Sequence, residues 1–310
     1  MSKKIGVSVV IPNWNGKKLL KRNLPPLIEA MNYFGGEYEI IVVDDGSVDG
    51  SAQYVREAFP SIRVIRLEHN RGFPVAANRG MGAAIHDLVL LLNSDIRVER
   101  NFLAPLLGYF DEERTFAVST AIMEDKNTVV IRPYIFEFKY GFLREVFGTE
   151  KNGPNLASTV SGGRGLFDRK KFMQLGGFDE IYSPFYYEDW DLSYRAWKKG
   201  FRMYYEPQSI VYHAHQATIG RAFSNGYIKF IFDRNRLIFT WKNLTDLDFL
   251  FRHFLILPFF LLWNSIRNPL VILSFLAALR KVPTILRKRR KEEVFIRYGD
   301  KEVLRLIREK

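Results

Sequence analysis

Short apolar runs alternate with longer stretches of helical spacing through the first part of the chain. Val7 to Ile11 is a β-branched run and reads as the first strand. Pro12-Asn13-Trp14-Asn15-Gly16 breaks it into a loop. Lys18 to Tyr33 has the spacing of a helix, which Pro25 and Pro26 are expected to kink or restart. Glu39 to Val43 is a second strand, ending in Asp44-Asp45-Gly46-Ser47. Asp49 or Ser51 then caps a helix running to Phe59. Arg63 to Leu67 reads as a third strand and Asn70-Arg71-Gly72-Phe73-Pro74 as a loop. Val75 to Ile85 reads as a helix with a small-residue face at Ala76, Ala77, Gly80, Ala83 and Ala84. Leu88 to Leu92 is apolar at every position, as in a strand buried on both faces, and gives way abruptly to Asn93-Ser94-Asp95. This rhythm predicts a parallel sheet with helical crossovers.

Beyond Asp95 the pattern loosens. Phe102 to Phe110 reads as a helix, and Phe116 to Ile122 and Thr128 to Ile131 as strands. Pro133 to Ser158 is mixed aromatic and charged with no period, and reads as a mobile loop or insertion. Ser161-Gly162-Gly163-Arg164-Gly165 is a glycine-rich turn. Arg169 to Leu175 is a short helix closed by Gly176-Gly177. Trp190 to Lys199 is a helix with Glu188, Asp189 and Asp191 at its start, where the helix dipole favours carboxylates. Arg202 to Tyr205 and Ser209 to His213 are strand-like. From Asn225 the composition shifts. Ile228 to Trp241 is an amphipathic helix; Phe249 to Leu262, broken by Arg252, His253 and Pro258, and Pro269 to Leu279 are strongly apolar. Neither apolar run reaches the roughly 20 uninterrupted residues of a spanning helix. The expected division is therefore 1–224 and 225–310.

Composition narrows the function classes. A chain of 310 residues, 47% hydrophobic, is globular. It contains no Cys, which removes disulfides and thiolate metal sites and fits a reducing compartment. A formal charge of +12 calls for a polyanionic partner: nucleic acid, anionic lipid or a phosphorylated substrate. Arg280, Lys281, Arg287, Lys288, Arg289, Arg290 and Lys291 follow the apolar helical segments directly. That is the pattern of an anchor on an anionic membrane surface; a packed helical subdomain with a solvated basic tail is the plainer alternative. The basic residues do not spread over an aromatic platform, so no nucleic-acid partner is expected. The opening MSKKIGVSVV enters a strand without a signal region. The expected location is the cytoplasmic face of the cell membrane, peripheral or monotopic.

In parallel α/β sheets, ligands bind outside the carboxyl ends of the strands. The loops Pro12 to Asn15, Asp44 to Ser47, Asn70 to Phe73 and Asn93 to Asp95 then share one edge. Asp45 and Asp95, on adjacent strand ends, make a polar crevice. Asp95 suits a hard divalent cation bridging phosphates, or simply caps the next segment. Asp45 can accept hydrogen bonds from a base or ribose, and Arg71 can meet a phosphate. A dinucleotide oxidoreductase needs a glycine-rich turn straight after the first strand, which Pro12 to Gly16 is not; Gly80-Met81-Gly82 lies inside a helix. A nucleotidyltransferase, and a non-catalytic sugar-nucleotide or lipid-binding protein, remain as alternatives.

VSVVIPNWNG, EIIVVDDGSVDGS, NRGFPVAANRG, LLNSD, GGFDE and YYEDWDLSYRAWKKG occur in this order over Val7 to Gly200. Together they resemble an inverting family 2 glycosyltransferase of GT-A fold, with rhamnosyltransferase-like enzymes of bacterial cell-surface polysaccharide assembly as the nearest type. The resemblance implies a Rossmann-like, mixed and mainly parallel sheet with a C-terminal helical membrane-associating region. It implies that Pro12, Asn13 and Asn15 line the nucleoside, and that Asp45, with Asp44 beside it, contacts the base. Arg71, Gly72 and Asn78 lie around the base and ribose. Asn93-Ser94-Asp95 occupies the Asp-X-Asp position, its first acid replaced by Asn, with Asp95 left to hold a divalent metal, Mg²⁺ or Mn²⁺. His213 completes the metal site, with His215 as a fallback. Asp189 matches the catalytic base, while Glu188 or Asp191 orients acceptor or sugar. Gly162, Gly163 and Arg164, up to Gly165, leave room for sugar or acceptor. The implied donor is a nucleoside-diphosphate sugar, dTDP-rhamnose first and UDP-sugars open. The implied acceptor is a polyprenyl-diphosphate-linked glycan.

Overall fold

Strand residues two apart share a face, and here both faces are apolar. Val7, Val9 and Ile11 pack with Leu20, Leu24 and Leu27 on one side of the sheet, whereas Val10, Ile41 and Val43 pack with Ala76, Ala77 and Met81 on the other. A strand buried on both sides needs helices over both, and the chain supplies them.

The computed structural model describes residues 5–123, 129–131, 133–148, 155–213, 220 and 222–308. In chain order the elements begin with β1 (Gly6–Asn13), α1 (Lys17–Phe34), β2 (Glu37–Asp44), α2 (Ser51–Ala58), β3 (Arg63–Arg66), α3 (Phe73–Ala83) and β4 (Leu88–Leu92). Next come β5 (Ile96–Val98), α4 (Ala104–Leu107), β6 (Thr115–Met123), β7 (Val129–Ile131), β8 (Tyr134–Lys139), β9 (Phe142–Phe147) and β10 (Asn155–Leu156). Then follow β11 (Arg164–Asp168), α5 (Arg169–Gln174), α6 (Glu188–Lys198) and β12 (Arg202–His213). The remainder is helical: α7 (Asn225–Asn243), α8 (Leu247–Arg267), α9 (Leu270–Leu279), α10 (Val282–Glu293) and α11 (Asp300–Leu306). The main sheet runs β10-β12-β6-β11-β4-β1-β2-β3, with β5 on β12 and β7 on β6. Strands β1 to β4 are mutually parallel, and β11 is antiparallel to both β4 and β6. This is the expected mixed, mainly parallel architecture.

Several local expectations change. Helix α1 runs unbroken through Pro25 and Pro26. The expected helix Phe102 to Phe110 shrinks to α4 plus a 3₁₀ turn over Gly108–Asp111. The two late strands are one, β12, irregular between Glu206 and Ile210. Pro133 to Ser158 is not a plain loop: β8 and β9 form an antiparallel hairpin. Its turn places Tyr140 and Gly141 at φ 53° and 77°, the conformation of a tight hairpin turn. Phe136 and Leu143 are buried on one side of the hairpin and Phe142 on the other, beside exposed Lys139 and Arg144, so no two-residue period shows. Helix α8 continues through Arg252, His253 and Pro258 to 21 residues, long and apolar enough to cross a membrane. Thr128, expected to open a strand, lies outside the described residues.

Candidate active site

The ends of β4, β1 and β2 open into the loops predicted to share one edge. Asp45 and Asp95 are not on adjacent strands, however, because β1 lies between β2 and β4. Asn13, ending β1, donates from Nδ2 to Asp44 Oδ1 at 3.3 Å and Ser47 Oγ at 3.4 Å. Asp44 Oδ2 accepts from the Ser47 amide at 3.2 Å. The Asn15 amide donates to Ser47 Oγ at 2.8 Å, and Asn15 Oδ1 accepts from the Val48 amide at 2.9 Å. Asp44 and Asn15 are therefore spent on turn construction.

Asp45 has a different task. Its two oxygens accept from the amides of Arg71, at 2.8 Å, and Gly72, at 2.9 Å. Burial raises its pKa against these bonds. Gly72 sits at φ 93°, and a Cβ there would lie 2.8 Å from the Pro184 backbone. Only glycine lets this loop press onto the segment before α6, where the Phe73 amide donates to Pro184 O at 3.0 Å.

On the other side of β1, Asp95 Oδ2 lies 3.2 Å from His213 Nε2, because Asp95 leads into β5, which pairs with β12 and sets Ile96 opposite His213. The carboxylate raises the imidazole pKa. Asp95 Oδ1 is buried with no hydrogen-bond partner among the described residues. One carboxylate with an unused oxygen and one imidazole fit a divalent cation that would draw its remaining ligands from a bound diphosphate. No third His, Asp or Glu joins them among the described residues, and His215 lies outside those residues. At Gly163 a Cβ would fall 2.3 Å from Asn93 Nδ2, so a side chain there would displace the Asn93 amide. At Gly162 it would meet the Phe73 ring at 3.0 Å.

Helix α6 brings the carboxylates. Tyr186 and Tyr187 precede it at φ 71° and 75°, a costly conformation for bulky side chains. Asn235 of α7 holds them there, donating from Nδ2 to the carbonyls of Tyr182, Phe185 and Tyr186 at 2.8–3.0 Å. Arg234 adds a bond to Ser183 O at 2.7 Å. Asp189 Oδ1 accepts from the Trp190 amide at 2.9 Å. Desolvation lifts the Asp189 pKa to about 6, with the Trp190 amide and Arg164 pulling the other way. Glu188 is pushed well up by burial and by Asp189. A third carboxylate, Glu145 of β9, bonds Thr159 Oγ1 and is lifted to about 8, chiefly by burial. Asp191 points the other way. It accepts from Tyr182, Lys242, Asn243 and Arg195 at 2.7–2.8 Å; burial pushes its pKa up, but Lys242 and Arg195 outweigh that and hold it well below the usual carboxylate range.

A cavity of about 380 Å³ joins these parts. Pro12, Asn13, Asp45, Gly72, Asn93, Ser94, Asp95, Gly162, Gly163, Glu188, Asp189 and His213 all line it. Asp95 and Asp189 thus face one space. Seven expected residues do not line it, among them Gly165, which lies inside β11 with Val160 and Phe167 packed against it. Asn15, Asp44 and Asp191 are tied up as described. Asn78 clamps Phe178 through two bonds, at 2.8 and 2.9 Å. Arg71 turns outward to Glu180, 3.9 Å away. Arg164 is buried beneath, donating to Ser119 Oγ at 2.7 Å. Conversely, Trp14, Asn70, Phe73, Ser161, Phe185, Tyr186 and Phe223 line the cavity without having been singled out. Trp14 stacks on Phe223 with centroids 5.8 Å apart. Their signal was present in the aromatic Trp14 inside a polar loop and the Phe185-Tyr186-Tyr187 run before Glu188.

The chain is similar to known proteins over much of its length. A pre-mycofactocin glycosyltransferase of Mycobacterium tuberculosis is 31% identical over 223 residues, 69% of this chain and 43% of that protein. An undecaprenyl-phosphate 4-deoxy-4-formamido-L-arabinose transferase of Edwardsiella ictaluri is 41% identical over 95 residues, 29% of each. The chain thus spans less than half the length of these two relatives. Among solved structures, GalNAc-T7 with UDP, GalNAc and Mn²⁺ superposes with a TM-score of 0.60 at 21% identity, covering 78% of this chain and 48% of that one. This likeness bears out the GT-A fold. The family model described as glycosyl transferase family 2 matches residues 8–176, and the chain belongs to that family of glycosyltransferases.

Proposed function

We propose that this glycosyltransferase moves a sugar from a nucleoside diphosphate to a hydroxyl of a lipid-phosphate-linked acceptor, with inversion and with a divalent metal. One observation carries the reading: the Asp95–His213 pair and Asp189 face each other across a single cavity. Asn13 and Asp45 stand where a base and ribose would lie, and Asn93 and Ser94 lead to the diphosphate end. Asp189 removes the acceptor hydroxyl proton as that oxygen bonds to the anomeric carbon. The bond from that carbon to the diphosphate oxygen breaks in the same displacement, so the configuration inverts. A divalent cation held by Asp95 and His213 would offset charge developing on the departing diphosphate. Glu188, which lines the same cavity, stands beside Asp189 to orient sugar or acceptor. The rhamnosyltransferase-like motifs favour dTDP-rhamnose as donor, with a UDP-sugar as the other candidate. The acceptor reading draws support from the undecaprenyl-phosphate relative and from the apolar, basic C-terminal helices.

The test is a panel of sugar nucleotides with Mn²⁺, Mg²⁺ or EDTA, reading nucleoside diphosphate release. One donor should be turned over in a metal-dependent way. Asp189→Asn should then lower turnover by about 10³-fold or more, with nucleotide affinity within about twofold of wild type. Normal turnover in that variant removes Asp189 from the base role.

A further inference from the structure

Helix α7 carries a guanidinium that the catalytic loop does not use. Arg234 and Asn235 hold the segment before α6, but Arg236 makes no hydrogen bond or ion pair from its side chain among the described residues. Its Nε is buried without a partner. The group lies instead on two rings, 4.2 Å from the centre of Phe142 in β9 and 4.4 Å from that of Phe260 in α8. Residues two apart in a strand share a face, so Arg144 lies on the same side of β9 as Phe142. Arg144 is exposed and has no carboxylate within ion-pair distance among the described residues, although Glu137 stands opposite it in the hairpin ladder. Arg144 packs over the Tyr140 ring, 5.9 Å from its centre, on the side of β9 that also carries Phe142 beneath Arg236, and neither guanidinium has an ion-pair partner among the described residues. Burial lowers the Arg236 pKa, and the charge of Arg144 lowers it further. Tyr187 and Asp233 act in the opposite sense, and Asp233 is already paired with Lys229.

The surroundings specify what would fill the gap. Glu145 follows Arg144 along β9 and points to the opposite face, where Asp189 and Trp190 act on it. The arginine pair therefore lies across one strand from the carboxylates that face the cavity. On its other side is α8, where Phe259 and Trp263 flank Phe260 and are exposed. An anion at the arginines would sit between an apolar track and the reacting hydroxyl.

We infer that Arg144 and Arg236 form a subsite for the phosphate of the acceptor, with its apolar chain running onto the exposed face of α8. Guanidinium groups suit phosphate oxygens, and two of them can share one phosphate. The inference rests on the lipid-linked acceptor proposed above and extends it to named residues. The ligand class is a phosphate ester on a single isoprenoid-like chain.

The experiment measures binding of farnesyl phosphate and of farnesol by calorimetry. The proteins are wild type, Arg144→Gln, Arg236→Met and the double variant, with melting temperature as the folding control. Arg236→Met keeps an apolar stem on the two rings, and Arg144 is exposed, so at least one variant folds normally. Wild type should prefer farnesyl phosphate over farnesol by about tenfold or more, and each variant should lose most of that preference. Farnesol affinity should not change. Equal binding of farnesyl phosphate to wild type and variants overturns the subsite. So does a loss confined to phosphatidylglycerol vesicles, which would assign the arginines to bilayer headgroups, or full competition by millimolar inorganic phosphate. None of these readouts involves the donor. Failure of every sugar nucleotide in the release assay would sink the transferase reading while leaving the subsite measurable, and the reverse result would remove the subsite alone.

Discussion

A carboxylate can act as a base only when ionised, and Asp189 is held at about 6, mainly by desolvation. The sign is therefore fixed. Above pH 6 the residue is charged and competent; below it, kcat/KM should fall about tenfold per pH unit. A pH–rate profile that stays flat to pH 5 would exclude Asp189 as the titrating base. Glu145, lifted to about 8, remains protonated at neutral pH and so adds no full negative charge beside it. The residues that proved legible in the sequence were those set off by abrupt local contrast. Asp95 ends an apolar strand, Asp189 opens a helix, and Gly163 lies in a glycine run. Asn15, Asp44, Asn78 and Asp191 were legible as polar residues near the site but not in their direction. Spacing along the chain places a Cα at an edge; it does not say whether the side chain turns to the cavity or back to brace a loop. Glu145 gave no signal, because the hairpin that carries it buries apolar residues on both sides and so shows no strand period.

At the scale of elements, α6 has to hold its first turn against two strained tyrosines. Its far side is fixed by a buried ionic cluster. Asp191 meets Lys242 at 2.7 Å and Arg195 at 2.8 Å, while Lys242 also reaches Glu292 at 2.9 Å and Asp179 at 3.1 Å. The cluster ties α6 to α7 and α10, which are distant in sequence. Lys242 is wholly buried, so removing its charge strands several carboxylates at once. Lys242→Met should cost ~3–5 kcal/mol of stability, read as a shift in urea midpoint at unchanged slope. A change under about 1 kcal/mol would mean that the cluster relaxes without it. The parallel strands were readable because a fully apolar run flanked by turn residues has few other folds. The α6–α7 linkage was not, since buried lysines and arginines carry the same letters as solvated ones. Two of the seven clustered cations show this. Lys288 turns in to Asp179 at 2.9 Å, and Arg289 donates to the carbonyls of Trp241 and Leu244 at 2.7 and 2.6 Å.

For the molecule as a whole, the open matter is what covers α8 and α9. Phe251, Phe254, Leu255, Phe259, Leu262, Trp263 and Ile266 are all exposed on one helix. Its length of 21 residues would match a bilayer core, but its opposite stripe is engaged. Phe249, His253 and Leu257 are buried. Phe138 stacks on Phe249 with centroids 4.1 Å apart. His253 accepts from Trp241 Nε1 at 2.9 Å and faces Gly141 O at 2.8 Å; burial holds its pKa down, to about 4, so the ring is neutral there. A helix bonded to the body along one side would have to break those contacts to cross alone. Lying flat, it keeps them and still buries its apolar face, with Arg280, Lys281, Arg287, Arg290 and Lys291 left to meet anionic headgroups. Wild-type protein should therefore sediment with phosphatidylglycerol vesicles and less with neutral phosphatidylcholine vesicles. Phe254→Ser with Phe259→Ser should weaken vesicle binding by about tenfold or more, since each buried phenylalanine is worth roughly 1.5–3 kcal/mol. The melting temperature should hold, because both rings are exposed in the free protein. Adding 0.5 M NaCl should release part of the wild-type binding, and a carbonate wash should release nearly all of it. Resistance to that wash would instead indicate a spanning helix, and absence of wild-type sedimentation would leave the apolar face to a protein partner.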